Sequence, residues 1–176
     1  MPLTTYTAGE VLTASSLNAN FSFAAGGAPT AIFNETQAAG TNGGTNTTGS
    51  FVKRTLNTTV INEITGCSIA ASVITLPAGT YYVWANSPFY RTQRAQLRLR
   101  NTSDSTNAVI GQSAYFVNAY EVQGSSQLLG FFTIAASKNF ELQYYSQTQE
   151  VNVGLGLNMN FGVSEVFSQI SIQKVA

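Results

Sequence analysis

Apolar and polar residues alternate with a period of two along most of the chain after residue 72. That period marks strands with one face on a core and the other toward water. Residues 73–76 (VITL) end at Pro77-Ala78-Gly79, a turn signal, and 80–86 resumes with β-branched and aromatic residues. Over 93–101, Ala95, Leu97 and Leu99 face one way while Arg94, Gln96, Arg98 and Arg100 face the other. A turn of Asn, Thr, Ser and Asp at 101–107 leads into a strand at 108–111. The continuous apolar run 128–135 predicts a strand buried on both faces, with Trp84 in the core of its own strand. Phe140, Leu142 and Tyr144 alternate with Glu141 and Gln143; Leu155, Leu157, Met159, Phe161 and Val163 keep the period; Ile170 and Ile172 close the series. About eight to ten short strands without a long helical pattern predict an all-β chain, an antiparallel sandwich of jelly-roll type.

Upstream the pattern changes. One strand is predicted at 31–36, and 38–49 reads as a Gly/Thr/Asn loop without packing side chains. In the first 25 residues Thr13 is a helix N-cap, followed at helical spacing by Ala14, Leu17 and Phe21. The predicted helix, 14–22, is too short to hold by itself. Tyr6, Val11, Leu12, Leu17 and Phe21 then form the apolar side of an arm that packs on its own domain or docks on another subunit or protein. The chain thus divides into an arm (1–25), a linker with one strand (26–50) and a knob (51–176) to which the strand at 31–36 belongs.

Composition narrows the class. Eight basic and eight acidic residues cancel, there is no His, and charged residues are 9% of the chain, against roughly 25% in ordinary domains. No nucleic acid and no anionic membrane is expected as partner. So little charge suits a chain that covers surface inside an assembly. The lone Cys67 excludes an internal disulfide. Catalysis lacks its parts: Ser has no His partner, Asp104 and seven scattered Glu make no carboxylate pair, and no phosphate loop is present. No enzyme activity, metal or cofactor is expected. The N-terminus lacks the layout of a secretion signal, and no run is apolar enough to insert in a membrane.

Two stretches carry a resemblance. Residues 5–21, TYTAGEVLTASSLNANF, resemble the N-terminal segment of many bacteriophage tail-fibre and tail-spike proteins, which ties the fibre to the virion. The motifs GTNGGT (40–45), RTLNT (54–58), LPAGTYY (76–82), AQLRLRN (95–101), FTIAASK (132–138) and NFGVSEV (160–166) are similar to those of the phage-borne domain related to tumour necrosis factor and the globular heads of complement. The resemblance implies a ten-stranded TNF-like jelly roll that assembles as a three-fold homotrimer. The stretch 113–127 reads as a loop longer and more aromatic than that family's.

Candidate residues follow. Phe89, Tyr90, Tyr115, Phe116, Tyr144 and Phe161 are read as trimer contacts or as core packing. Arg91, Arg94, Arg98 and Arg100 offer a patch for an anionic glycan or phosphate; alternatively they pair with Glu121, Glu141 or Glu150 across subunits or form a solvated strand face. Tyr115, Phe116, Asn118 and Tyr120, and a second group of Tyr145, Gln147, Gln149 and Asn152, place flat rings beside amides, the equipment that grips sugars; trimer contacts or loop packing are the other reading. The resemblance assigns Tyr6, Val11, Leu12, Leu17 and Phe21 to virion docking on a baseplate, tail or other virion protein. The expected protein is a trimeric phage tail fibre or adhesin that contacts a host-surface glycan or receptor. The alternative is a trimeric capsid decoration or cement protein without a receptor.

Overall fold

The computed structural model describes residues 5–11, 13–14, 27–117 and 121–176. The expected helix at 14–22, apart from Ala14, lies outside the described residues, as do Leu12, Leu17, Phe21, Asn118 and Tyr120. Eleven strands are present: β1 Thr30–Gln37, β2 Val52–Lys53, β3 Thr58–Asn62, β4 Ser68–Ala70, β5 Val73–Leu76, β6 Gly79–Tyr90, β7 Gln93–Asn101, β8 Thr106–Phe116, β9 Gln123–Ile134, β10 Lys138–Ser146 and β11 Glu165–Lys174. They form two antiparallel sheets. The first has the order β3-β1-β11-β6-β9; the second runs β4-β5-β10-β7-β8, with β2 added beside β10. From β9 onward successive strands cross between the sheets, and the whole is an antiparallel jelly roll.

The alternation read from the sequence sets what lies between the sheets. Tyr81, Val83, Ala85, Ser87 and Phe89 point inward from β6, and Ile170 and Ile172 from β11. They meet Ala95, Leu97 and Leu99 of β7 and Phe140, Leu142 and Tyr144 of β10. Cys67 is packed at the margin of this core, and burial pushes its thiol up to about 11, the state of an unreactive side chain.

Five readings are corrected. The run 128–135 is not buried on both faces: β9 is an edge strand whose Leu128 and Ile134 point inward while Leu129 and Phe131 are 60% and 66% exposed. Trp84 stands with them, half-buried on the outer face of β6, because its neighbours Val83 and Ala85 take the inward positions. Residues 155–163 form no strand. Asn152 and Asn160 adopt left-handed backbone and Gly156 has φ +132°, with Phe167 where its Cβ would stand. The 38–49 segment does pack: Asn46 is fully buried, its Nδ2 donates to Ser146 Oγ and Thr148 O (both 2.7 Å), and its Oδ1 accepts from Glu150 N (2.7 Å). The expected 113–127 loop is shorter, since its two ends are the end of β8 and the start of β9.

One buried polar contact fastens these pieces. Arg54 donates from Nε to Glu35 Oε2 (2.8 Å), and its Nη2 lies 2.7 Å from the same oxygen and 3.0 Å from Leu155 O. The guanidinium lies beside the rings of Tyr144 and Phe89, at 5.7 and 6.0 Å from their centroids.

Candidate functional site

The outward faces of the two sheets differ in kind. On the second sheet, register places Tyr145 of β10, Gln96 of β7 and Ser113 of β8 side by side, with Arg94 and Tyr115 as the next cross-strand pair. Phe51, just before β2, meets Tyr145 edge-on at 5.4 Å, and the Arg98 guanidinium lies 3.8 Å over its ring. Phe51, Arg94, Gln96, Ser113, Tyr115 and Tyr145 line a half-open cleft of about 560 Å³, in the range of small-molecule sites. Gln96 Nε2 donates to Gly111 O (3.0 Å) and Ser113 Oγ (3.3 Å). Its own Oε1 and the Ser113 hydroxyl proton have no partner among the described residues. Arg94 is exposed and makes no side-chain hydrogen bond or ion pair among the described residues. It emerges from a tight turn in which Arg91 and Gln93 are left-handed and Thr92 is buried. That turn is tied down by Thr148 N to Thr92 O (3.0 Å) and Gln147 N to Arg94 O (2.9 Å).

The neighbouring cations are engaged. Arg98 Nε donates to Gln143 Oε1 (2.8 Å), Gln143 Nε2 donates to Glu141 Oε2 (2.6 Å), and Lys53 stands 3.7 Å from Glu141. Burial and the nearby Arg100 lower the Arg98 pKa, against an opposing pull from Glu141. Arg100 Nη1 donates to Asn107 Oδ1 (3.1 Å).

The outer face of the first sheet is built in rows without charge. Ile61, Ile32, Ser171, Trp84 and Leu129 are successive partners across all five strands. Beside them run Thr30, Gln173, Tyr82 and Phe131, with the last two rings 5.0 Å apart, and then Asn34, Gln169, Asn86 and Gln127. Asn86 Oδ1 is shielded from solvent with no partner among the described residues.

No family model and no curated protein matches the chain. Solved structures do. The globular domain of zebrafish complement 1qA protein aligns over 85% of this chain and 98% of its own length, with 14% identity and a TM-score of 0.54. Murine APRIL at pH 5.0 aligns over 83% and 98%, with 6% identity and the same TM-score. The fold is the TNF-like jelly roll. At these identities the likeness speaks for the fold alone. The PRD1 vertex protein P5, at 15% identity and a TM-score of 0.48, is too distant to bear on the chain.

Within this TNF-like jelly roll the expected site residues separate. Tyr115 and Tyr145, read from two different stretches, come together with Arg94 in the cleft. Phe116 does not join them: it is buried, stacked on Phe89 at 6.0 Å, and its ring occupies the space a side chain at Gly124 would need. Phe89, Tyr90 and Tyr144 are also buried, so none offers a surface to another copy. Inward parity and the cover they give the Arg54 guanidinium account for Phe89 and Tyr144; Tyr90 has the outward parity of β6 and its ring lies 5.9 Å from the Arg91 guanidinium. Arg94, Arg98 and Arg100 lie on the second sheet, across the sandwich from the charge-free face. Phe161 is 82% exposed in the connection between β10 and β11. Gln147, Gln149 and Asn152 belong to the packed 147–162 segment, where Gln149 Nε2 donates to Asn46 O (3.1 Å) and Asn152 N to Thr45 Oγ1 (2.8 Å). In the arm, Tyr6 is half-buried and Val11 exposed. Phe51, Gln96 and Ser113 in the cleft, and Ile32, Ile61, Tyr82, Leu129 and Phe131 on the opposite face, went unread. The parity of Gln96 with Arg94 was the one available signal.

Proposed function

We propose that the chain is a non-enzymatic structural protein of a bacteriophage particle: a homotrimeric tail fibre or adhesin. Its N-terminal segment joins the baseplate, tail or another virion protein, and its knob meets the host surface. The observation that carries self-association is the charge-free outer face of the first sheet. Tyr82, Trp84, Leu129 and Phe131 leave an apolar patch of a kind monomers seldom expose. Burying such side chains contributes roughly 1.5–3 kcal/mol each. A face without charge meets a copy of itself without like-charge repulsion, and its amide row supplies donors and acceptors to the contact. The three-fold count and the virion setting rest on the resemblance of residues 5–21 and of about 30–176 to phage proteins.

The test has two readings. Light scattering on the purified chain should give three times the chain mass. Phe131→Glu and Leu129→Glu should run as folded monomers with an unchanged β circular-dichroism spectrum. A wild-type chain that stays monomeric at micromolar concentration sinks the trimer. Gold-labelled antibody against 51–176 on intact particles should mark the tail. Label spread over the capsid would make the chain a decoration protein, and particles without label would remove the virion reading.

A further inference from the structure

We infer that the cleft between Phe51, Tyr115 and Tyr145 binds one pyranose unit carrying an anionic group, with Arg94 holding the anion. This deepens the attachment role proposed above and rests on it. The cleft spans β10, β7 and β8. Two strand spacings and an offset of two residues put its flanking Tyr145 and Tyr115 about 12 Å apart at the backbone, a gap that admits a six-membered sugar ring. Tyr145 and Phe51 stand on one side and Tyr115, 62% exposed, on the other. Such rings offer flat apolar faces to the C–H groups of a pyranose. Gln96 Oε1 is left as an acceptor and the Ser113 hydroxyl as a donor, one of each for sugar hydroxyls. Gln96 itself is held by its bonds to Gly111 and Ser113, so it is already oriented when the ligand arrives.

Charge decides the class of sugar. Arg98 and Arg100 are committed to Gln143, Phe51 and Asn107. Arg94, on the same face, is not committed, and its planar fork suits a carboxylate or phosphate in two-point contact. A carboxylate on this face, Glu141, already faces Lys53 and Gln143. A neutral hexose would leave the guanidinium idle. A second cavity, about 490 Å³ at the end of the sandwich, differs on this point: its Lys138 is closed onto Asp104 at 2.6 Å.

The experiment is a titration of the 15N-labelled chain with sodium glucuronate, glucose 6-phosphate and methyl glucoside, followed by amide chemical shifts. Glucuronate or glucose 6-phosphate should move resonances of Gln96, Ser113 and Tyr115, and the tighter of the two names the anionic group. Arg94→Gln should weaken that ligand at least about tenfold and leave methyl glucoside unchanged. Tyr115→Ala should weaken both classes, and Lys138→Gln neither. Methyl glucoside binding as tightly as the acidic sugars, or no cleft shift with any of the three, overturns the proposal. So does an Arg94→Gln variant that binds like the wild type. Gold labelling of particles separates these failures from that of the attachment role: a tail-located knob with an inert cleft attaches by another surface.

Discussion

Arg54 is the largest fully buried side chain among the described residues, and its one ionic partner, Glu35, is as deeply buried. Two ions in a core are costly to desolvate, and the pair persists only because each answers the other. The arrangement joins β1 through Glu35, the segment after β2 through Arg54, and the 147–164 connection through Leu155 O. Arg54→Met should therefore destabilise the fold by about 3–5 kcal/mol, since it strands Glu35 in the core. The double variant Glu35→Leu/Arg54→Met should recover most of that loss. Urea unfolding of the two variants checks both, and an unchanged midpoint for Arg54→Met would show the pair to be idle. Nothing in the chain pattern announced this pair, because β1 and Arg54 meet only after β1 has taken its place in the first sheet.

Among the elements, the connection from β10 to β11 departs furthest from its pattern. Its apolar residues keep a period of two, yet the positions between them are Gly154, Gly156, Asn158, Asn160 and Gly162. Gly and Asn are the residues that enter left-handed backbone most readily, so the same alternation that resembles a strand is a series of turn signals. Glu165 holds the end of this connection. Its carboxylate accepts from Asn160 N (2.8 Å), Met159 N (3.1 Å) and Gly40 N (3.2 Å). The Asn160 and Met159 N–H groups, then that of Gly40, pull its pKa below the usual range against the opposing effect of burial. A depressed carboxylate stabilises the fold above its unfolded pKa of about 4.3, and the contribution fades as pH falls through the folded value. Glu165→Gln should therefore melt lower than the wild type at pH 7, with the gap narrowing as pH falls below about 4. Thermal melts from pH 7 down into acid check it; a gap independent of pH would assign Glu165 a steric role. Strands at 73–76, 93–101, 140–144 and 170–172 were legible because their inward residues are apolar and their outward ones polar. The strand at 128–135 was legible too, but not its edge position, because Leu129 and Phe131 make its outward side apolar. The cleft was half legible: Tyr115 and Tyr145 stood out as aromatics in polar stretches. Phe51, Gln96 and Ser113 entered only through cross-strand register, which periodicity along one strand does not encode.

For the whole molecule, the proposed assembly ties folding to association. If the first-sheet face is covered by other copies, unfolding draws on the trimer and the melting temperature rises with protein concentration. A hundredfold dilution should lower the wild-type Tm by several degrees and leave that of Phe131→Glu unmoved; a wild-type Tm independent of concentration would count against the shared face. The two faces of the sandwich also answer to different solvents. The first sheet brings no charge to its outer surface, so ionic strength has no electrostatic hold on contacts made there. The exposed guanidinium of Arg94 is screened within a Debye length, about 8 Å at physiological salt. In the proposed assembly brine would therefore loosen what the second sheet grips and spare what the first sheet joins, so that the knob's cohesion and its adhesion would be set by separate dials.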